Sequence, residues 1–456
     1  MTEAPRYSFH PLERRGVLLG LTAGQLLTIG AALVTAFALH GILPGAAGTG
    51  LAVVAGAAGV VAGVWSRDQR PVGAWLLDWA TFARRRATSP QLDRRPVSGR
   101  PMGALAPPGI VLCEDPGGPG ETAVGVISDR RASTLAAVVP VAGCSFSLLD
   151  PVKQCHQLES WRRVLGAVAR PGSPVVRLQW VHRTAAVGPG RLEEAVGMSP
   201  GGDAPETTSY RRLLQEAVPT MIGHEAWLVL VVQRHRGEDR TRLRRELRLL
   251  EGQLRGADLR PGRPLALDEL QEVVAGASEA RRSRRAGGGW PMATDERWSY
   301  LRADGSWHCT YWVAEWPRVD VGPDFLGPLL LGSRRVSVSV VLAPVDAERA
   351  LREARSARTA DLADAEIRAR AGFIPSIRRD REQEGALARE AELADGHSEF
   401  RFSGYLTVSA GDREELTAAC ADAEHAAQAA RIEIRRLYGR QAEAFTWTLP
   451  LGRGLR

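Results

Sequence analysis

The feature that most constrains this chain is an uncharged stretch near its N-terminus. From Gly16 to Trp65 the sequence contains no Asp, Glu, Lys or Arg. Two apolar runs, residues 16–42 and 46–65, are separated there by a short Leu-Pro-Gly break. As helices, runs of these lengths reach about 40 and 30 Å, and the hydrocarbon core of a bilayer is ~30 Å thick. The stretch therefore predicts a two-helix transmembrane hairpin over residues 16–66.

Small residues recur at fourfold spacing in both runs, with Gly59 and Gly63 in the second. In lipid this spacing lets two helix backbones approach closely. Because Ala and Gly are abundant here, a chance match is the alternative interpretation.

Arginines flank the stretch on both sides, and the break between the two runs has none. Basic residues beside a span stay on the cytoplasmic side, so we expect an inner-membrane protein with both termini, including a tail of residues 1–15, in the cytoplasm. A cleaved secretory signal is the rival interpretation, but the first run is long for a signal and a second run follows at once. The residues expected to set the orientation or to lie at the interface are Arg14, Arg15, Trp65, Arg67, Arg70, Trp75, Trp79, Arg84, Arg85 and Arg86.

Residues 67–108 are predicted to form an interfacial helix and a linker. Pro71 can open a helix whose aromatic residues recur on one face, with three arginines at its end. That pattern suits a helix lying among lipid headgroups, and packing of the same face on the protein's own domain is the alternative. The face consists of Trp75, Leu76, Trp79 and Phe82.

Beyond the linker, short apolar strands alternate with amphipathic helices. This mixture predicts a cytosolic α+β region of ferredoxin-like sheets covered by long helices, with a first subdomain at 109–200 and a second at 201–456. The five cysteines never form a CxxC pair, which favours a reducing compartment. Predicted strands include 175–182, 227–233, a hairpin at 299–314 turning at Asp304-Gly305, 336–342 and 399–409; predicted helices are 155–169, 210–218, 240–255, 346–370, 377–394 and 413–437.

No motif in the sequence predicts an active site. The only lysine, Lys153, has no glycine loop before it, which excludes a nucleotide-hydrolysing P-loop. His224 begins what resembles a zinc-protease helix, but Leu228 stands where the second His must be. In the adjacent pairs Cys155-His156 and His308-Cys309 the side chains point apart in either a strand or a helix, so a shared metal site is not favoured. We predict no catalytic, cofactor-binding or metal-binding residue.

The basic charge is concentrated near the apolar stretch. The first hundred residues hold eleven Arg and five acidic residues, which accounts for +6 of the formal net charge of +7. A second basic cluster lies at 281–285, where no aromatic residues interleave as stacking on single-stranded nucleic acid requires. A solvated loop is the plain interpretation, and direct nucleic-acid binding is not favoured. Candidate contacts to a partner or to nucleic acid are Arg281, Arg282, Arg284 and Arg285.

Several short segments together resemble the N-terminal region of the conjugation and type IV secretion motor ATPases. They are Tyr-Leu-Arg-Ala-Asp-Gly at 300–305, Trp316-Pro317, the helix at 325–331, the strand at 336–342, Gln-Ala-Glu-Ala-Phe at 441–445 and Leu-Pro-Leu-Gly at 449–452. The N-terminal hairpin resembles the small PrgI-like membrane subunit of the same systems. The combined layout is similar to actinobacterial membrane proteins thought to work beside a separate motor.

The resemblance implies a membrane-anchored structural component that docks a separately encoded motor ATPase. In the family a Leu-Pro-Leu-Gly-like stretch leads into the nucleotide-binding domain, whereas this sequence ends at Arg456, so we expect no ATPase activity and no cofactor. The expected partners are the bilayer and the motor, and self-association stays open. The alternatives are a membrane-anchored enzyme or nucleotide-binding regulator, and a DNA-tethering module.

Overall fold

The structure is a computed structural model of the whole chain. The chain divides into two compact units. The helical unit comprises Pro11–Leu92 and Tyr438–Arg440, and the sheet unit comprises the rest. The structure describes residues 23–43, 45–64, 66–67, 70–88, 106–142, 146–186, 212–213, 222–235, 239–278, 290–291, 293–332, 334–370 and 377–455.

Among its described residues, the helical unit contains three helices and one pair of two-residue strands. The first two helices are built from Ala, Leu, Val and Gly, and Gly45, at φ 113°, occupies the turn between them. A backbone with positive φ is free of Cβ strain only for glycine, so this residue suits the chain reversal. The elements are α1 (Ala23–Ile42), α2 (Ala46–Val64), β1 (Ser66–Arg67), β2 (Arg70–Pro71) and α3 (Val72–Thr88).

The sheet unit mixes strands and helices around one large antiparallel sheet, which confirms the predicted α+β class at that level. The strands are β3 (Ile110–Asp115), β4 (Val124–Asp129), β5 (Thr134–Ala142), β6 (Val175–Ala186), β7 (Ile222–Gln233), β8 (Arg260–Pro261), β9 (Thr294–Glu296), β10 (Leu301–Ala303), β11 (Ser306–Glu315), β12 (Arg335–Pro344), β13 (Phe400–Ala410) and β14 (Glu433–Arg436). The helices are α4 (Pro151–Val168), α5 (Asp239–Gly256), α6 (Leu267–Ala275), α7 (Gly327–Leu330), α8 (Ala347–Arg370), α9 (Ile377–Ala394), α10 (Arg413–Ala429) and α11 (Gln441–Phe445).

The order of the strands brings distant parts of the chain together. It is β3-β4-β5-β7-β6-β12-β13-β11-β10-β9, with β8 on β5 and β14 on β11. Because β7 lies between β5 and β6, strands from both sides of residue 200 hydrogen-bond in one sheet. The predicted subdomains 109–200 and 201–456 therefore share a sheet and a compact unit.

The same arrangement occurs twice in the sheet. The order β3-β4-β5-β7-β6 in the first half is repeated as β9-β10-β11-β13-β12 in the second, and the halves meet at the β6–β12 pair. Local conformations repeat too. Ser133 (φ 51°) and Asp304 (φ 50°) occupy the equivalent hairpin turns, and Asp258 (φ 54°) and Arg431 (φ 56°) follow α5 and α10. Among the described residues, these four are the non-glycine residues with positive φ.

Side chains cover both faces of the sheet. On one face, α5 contributes a buried leucine stripe, and α10 contributes an equivalent stripe with the same 4-3-4 spacing, as one face of a helix requires. The other face is covered by α6, α11 and the C-terminal residues, including Leu449 and Leu451. The stripes are Leu243, Leu247, Leu250 and Leu254 on α5, and Leu416, Cys420, Ala423 and Ala427 on α10.

Candidate membrane interface

The helix α1 directs large apolar side chains outward. Leu27 is 73% exposed and Phe37 is 82% exposed. Among the described residues, Gln25–Ile42 is the stretch long and apolar enough to cross a membrane, and none of it is buried. The apolar stretch of α2, Ala46–Val61, is shorter. The helical unit thus presents one helix with the length and composition of a membrane span.

The helices α1 and α2 contact each other closely. The Nε2 of Gln25 donates to the carbonyl oxygen of Gly63 at 3.0 Å. A Cβ added at Gly59 would lie 1.9 Å from the Cβ of Ala32, and one added at Gly63 would lie 2.6 Å from Cγ1 of Ile29. The two glycines therefore lie where α1 passes, as their fourfold spacing predicts.

One side of α3 packs against the Tyr438–Arg440 segment of the same unit. The ring of Trp75 lies 5.1 Å from that of Tyr438, centroid to centroid. Asp78 forms an ion pair with Arg440 at 3.5 Å, and Arg85 donates to the carbonyl oxygen of Gly439. The contact between α3 and this segment was not predicted, because the local sequence of α3 does not indicate which residues, more than 350 positions away, it will contact.

The other side of α3 is open. Leu76 is 60% exposed, Leu77 is 69% exposed and Trp79 is 60% exposed. Arg84 and Arg86 of the last turns are exposed as well, as is Arg85, although its guanidinium donates to Gly439. The four residues predicted to share one face are therefore not all in the same environment. Phe82 is buried and Trp75 is half-buried, whereas Leu76 and Trp79 are exposed, as is Leu77. An apolar strip followed by guanidinium groups is the chemistry that a helix at an anionic lipid surface requires.

The remaining predicted interface residues fall outside this geometry. Arg14 and Arg15 lie outside the described residues, as do the side chains of Trp65, Arg67 and Arg70. The same is true of the basic cluster at 281–285, which comprises Arg281, Arg282, Arg284 and Arg285.

The adjacent residues His308 and Cys309 on β11 occupy opposite faces of the sheet, as predicted. The Nδ1 of His308 lies 2.8 Å from the Oγ of Ser409, and burial, together with nearby Arg335, lowers the pKa of His308 to about 3. On the other face, burial raises the pKa of the Cys309 thiol, and a hydrogen bond from Cys309 lowers the pKa of Cys420 to about 7. With a pKa of about 3, His308 is neutral at physiological pH.

A second histidine lies near the end of β6. The Nε2 of His182 is 3.2 Å from the Nδ1 of His224 on β7. Burial, assisted by His224, lowers the pKa of His182 to about 4. Within the described part of the chain, no group of three or more His, Cys, Asp or Glu side chains is arranged to hold a metal ion.

A buried glutamine ties the C-terminal segment to the centre of the sheet. The Nε2 of Gln179 donates to Ser339 Oγ at 2.8 Å and to the carbonyl oxygens of Trp447 at 2.9 Å and Leu449 at 3.0 Å. The backbone N–H of Gly452 donates back to Gln179 Oε1 at 2.7 Å. The Leu-Pro-Leu-Gly stretch at 449–452 therefore packs on the sheet. Polar residues recur along β6, so nothing in its sequence distinguishes Gln179, and sequence reasoning overlooked this buried residue.

Comparison with known proteins adds no relatives to this description. No protein-family model matches the chain, and no curated protein matches it. The features that bear on function are therefore the apolar helical unit, the doubled sheet and the short sequence resemblance.

Proposed function

We propose that this protein is a membrane-anchored structural component of a type IV secretion or conjugation-like system. It docks a separately encoded motor ATPase and hydrolyses no ATP itself. The observation that carries the proposal is the exposed apolar surface of the helical unit, formed by α1 and by the strip Leu76, Leu77 and Trp79. The type of machine comes from the resemblance of residues 300–342 and 441–452 to the non-motor region of the secretion ATPases.

In this proposal α1 and α2 form a two-span hairpin, with both termini in the cytoplasm. Support comes from the contact of Gln25 with Gly63 and from the length of the helices, since the 19 residues of α2 reach about 28 Å. The arginines on both flanks favour the orientation. The exposed side of α3 then lies among the headgroups, with Trp79 at the depth that aromatic residues prefer.

The cytosolic part consists, in this proposal, of two ferredoxin-like repeats. Each follows the order β-α-β-β-α-β, and the sheet orders β8-β5-β7-β6 and β14-β11-β13-β12 support this assignment. A sheet covered on both faces gives a rigid platform, which suits mechanical attachment of a motor.

The position of the sole lysine supports the part of the proposal that denies the chain P-loop ATP hydrolysis of its own. Lys153 lies in the first turn of α4, where its side chain is 73% exposed and pairs with Asp150 at 3.6 Å. No glycine loop precedes it to cradle phosphates.

The test of anchoring is extraction of the full chain from membranes. We expect detergent to release it and about 1 M salt to leave it bound, because apolar burial is not screened by salt. Substituting Leu76 and Leu77 together by Ser removes most of the aliphatic surface of the strip and leaves Trp79 as the reporter. We expect weaker association of α3 with the bilayer, measured as a loss of Trp79 quenching by lipid-borne quenchers relative to the wild-type chain. Release of the wild-type chain by salt alone would refute the proposal.

The test of docking is co-purification of the full chain with a motor ATPase encoded beside it. We expect a stable complex and no ATP hydrolysis by the chain alone. Saturable ATP binding by the purified chain would favour the membrane-anchored enzyme or nucleotide-binding regulator. DNA binding that weakens steeply with salt would favour the tethering module.

A further inference from the structure

The two halves of the sheet unit carry equivalent helices of opposite charge. Helix α5 has six arginines and three acidic residues, a net charge of +3. Helix α10 has one arginine and four acidic residues, a net charge of −3 with its histidine neutral. Both helices pack on the same face of the sheet through stripes of identical spacing, so their outward positions correspond residue by residue.

The outward faces also differ in shape. When Leu243 is aligned with Leu416, Arg245 of α5 occupies the position of Ala418 on α10. Likewise Arg248 occupies the position of Ala421. Long cationic side chains therefore project from α5, while α10 has short methyl groups between its acidic residues. The longer cationic side chains of α5 and the shorter, acidic face of α10 are complementary in both size and sign.

Only part of this charge is unpaired, because Arg240, Arg244, Arg248 and Arg255 of α5 already form ion pairs within the chain. Arg242 and Arg245 are exposed and form no ion pair with another described residue. Glu414 is exposed and equally unpaired, and Asp422 is 65% exposed although it lies 3.4 Å from Arg334. Like charges three residues apart on a helix repel each other, so Arg242 and Arg245 destabilise α5 unless an anion approaches.

We propose that α5 of one copy of this chain docks against α10 of a second copy. A second copy is the occupant because the same chain carries both complementary surfaces at equivalent positions of its two halves. In a two-fold dimer, α5 of each copy contacts α10 of the other copy. Both complementary surfaces are then buried, and the assembly is closed. The proposal does not depend on the membrane function, since it uses only the sheet unit.

The first experiment measures contact directly. The full chain in mild detergent is prepared with Arg245→Cys and, separately, with Ala418→Cys, both with the exposed Cys155 replaced by Ser. After mixing and mild oxidation, we expect a disulfide-linked dimer of the two variants at about 50 mM NaCl and at least a tenfold lower yield at about 500 mM NaCl, where charges are screened. Arg352→Cys on α8, also exposed, replaces Arg245→Cys in the matched control and should give no linked dimer.

The second experiment exchanges the charges. Variant one carries Arg242→Glu and Arg245→Glu, and variant two carries Glu414→Arg and Asp422→Arg. Each alone should lose self-association, measured as mass by light scattering, because its two docking helices now have the same sign. Mixed together they should associate again, since acidic α5 then meets basic α10 and the unchanged pair is also present. Arg352→Glu with Arg355→Glu on α8 matches the charge change of variant one and should keep the wild-type mass.

Each outcome decides the proposal. Linking of residues 245 and 418 together with recovery in the mixture supports it. A chain that is monomeric at low salt, an oligomer that persists in both charge variants, or a mixture that fails to recover overturns it. Variant one could instead keep the wild-type mass but no longer bind a different protein. In that case α5 binds that other protein, and the proposal is equally refuted.

Discussion

Replacing Gln179 by Leu tests how the C-terminal segment is held to the sheet. The side chain is fully buried and makes four hydrogen bonds. Leucine has a similar size but no polar atom, so Ser339 Oγ, the Trp447 carbonyl and the Gly452 N–H lose this partner. The Leu449 carbonyl keeps a second donor, the N–H of Leu451 at 2.8 Å.

The magnitude follows from the three buried groups left unsatisfied. Each costs about 1–3 kcal/mol, and partial relaxation brings the expected loss in the free energy of unfolding to about 3–6 kcal/mol. Such a loss is a large part of the stability of an ordinary domain. We also expect residues 446–455 to become the first site of protease cleavage, because their main-chain anchor is gone.

The assay is urea unfolding of the full chain in mild detergent, followed by tryptophan fluorescence, with cleavage sites read by mass spectrometry. Gln428→Leu on the exposed side of α10 is the matched control and should change the free energy of unfolding by less than about 0.5 kcal/mol. If Gln179→Leu costs less than about 1 kcal/mol, the hydrogen bonds do not hold the segment and the reasoning fails.

Three further predictions concern single positions. Because the pKa of His308 is about 3 when folded and ordinarily 6.5, the unfolded chain binds more protons between these values, and stability should fall below pH 6.5. His308 should contribute about 2 kcal/mol of that loss at pH 5, and His308→Gln should remove this part in unfolding curves at pH 7 and 5 while leaving the part due to His182, whose pKa is also lowered. Gly59→Val should separate α1 from α2 and lower the melting temperature in detergent, whereas Gly50→Val, with open space around its Cβ, should not; equal effects would contradict the close contact. Arg431→Gly should stabilise the chain by about 1 kcal/mol in urea unfolding, since glycine bears positive φ without strain, and no gain would refute that reasoning.

The sequence predicted elements well where periodicity alone defines them. The helix expected at 240–255 is Asp239–Gly256, and the one expected at 377–394 is Ile377–Ala394. The hairpin turning at Asp304-Gly305 is present as β10 and β11. These elements carry their own signals, namely a leucine stripe, a long amphipathic run and a turn dipeptide.

The misses occur where the cause is not local. The last helix was expected to reach residue 437 but ends at Ala429, because Arg431 takes a left-handed conformation and the chain then forms β14. The backbone preferences of arginine do not predict the positive φ that Arg431 adopts. The position of β7 between β5 and β6 depends on contacts between residues far apart in sequence, and so does the division of the α3 face into a packed and an open side. A short segment of sequence carries no information about such contacts.

The divergence of the two halves explains why their repetition is invisible in the sequence. Both α5 and α10 keep the 4-3-4 spacing of buried positions, since that spacing is what a helix needs to lie on a sheet. The residues themselves differ in volume: the stripe of α5 consists of four leucines, whereas the stripe of α10 contains Cys420 and alanines in the cluster that holds Tyr311. Close packing accommodates such differences when the neighbouring side chains change with them. On the outward side no packing constraint operates, so there the arginines of α5 and the alanines of α10 were free to diverge. The halves share what the core requires and differ where a partner would bind.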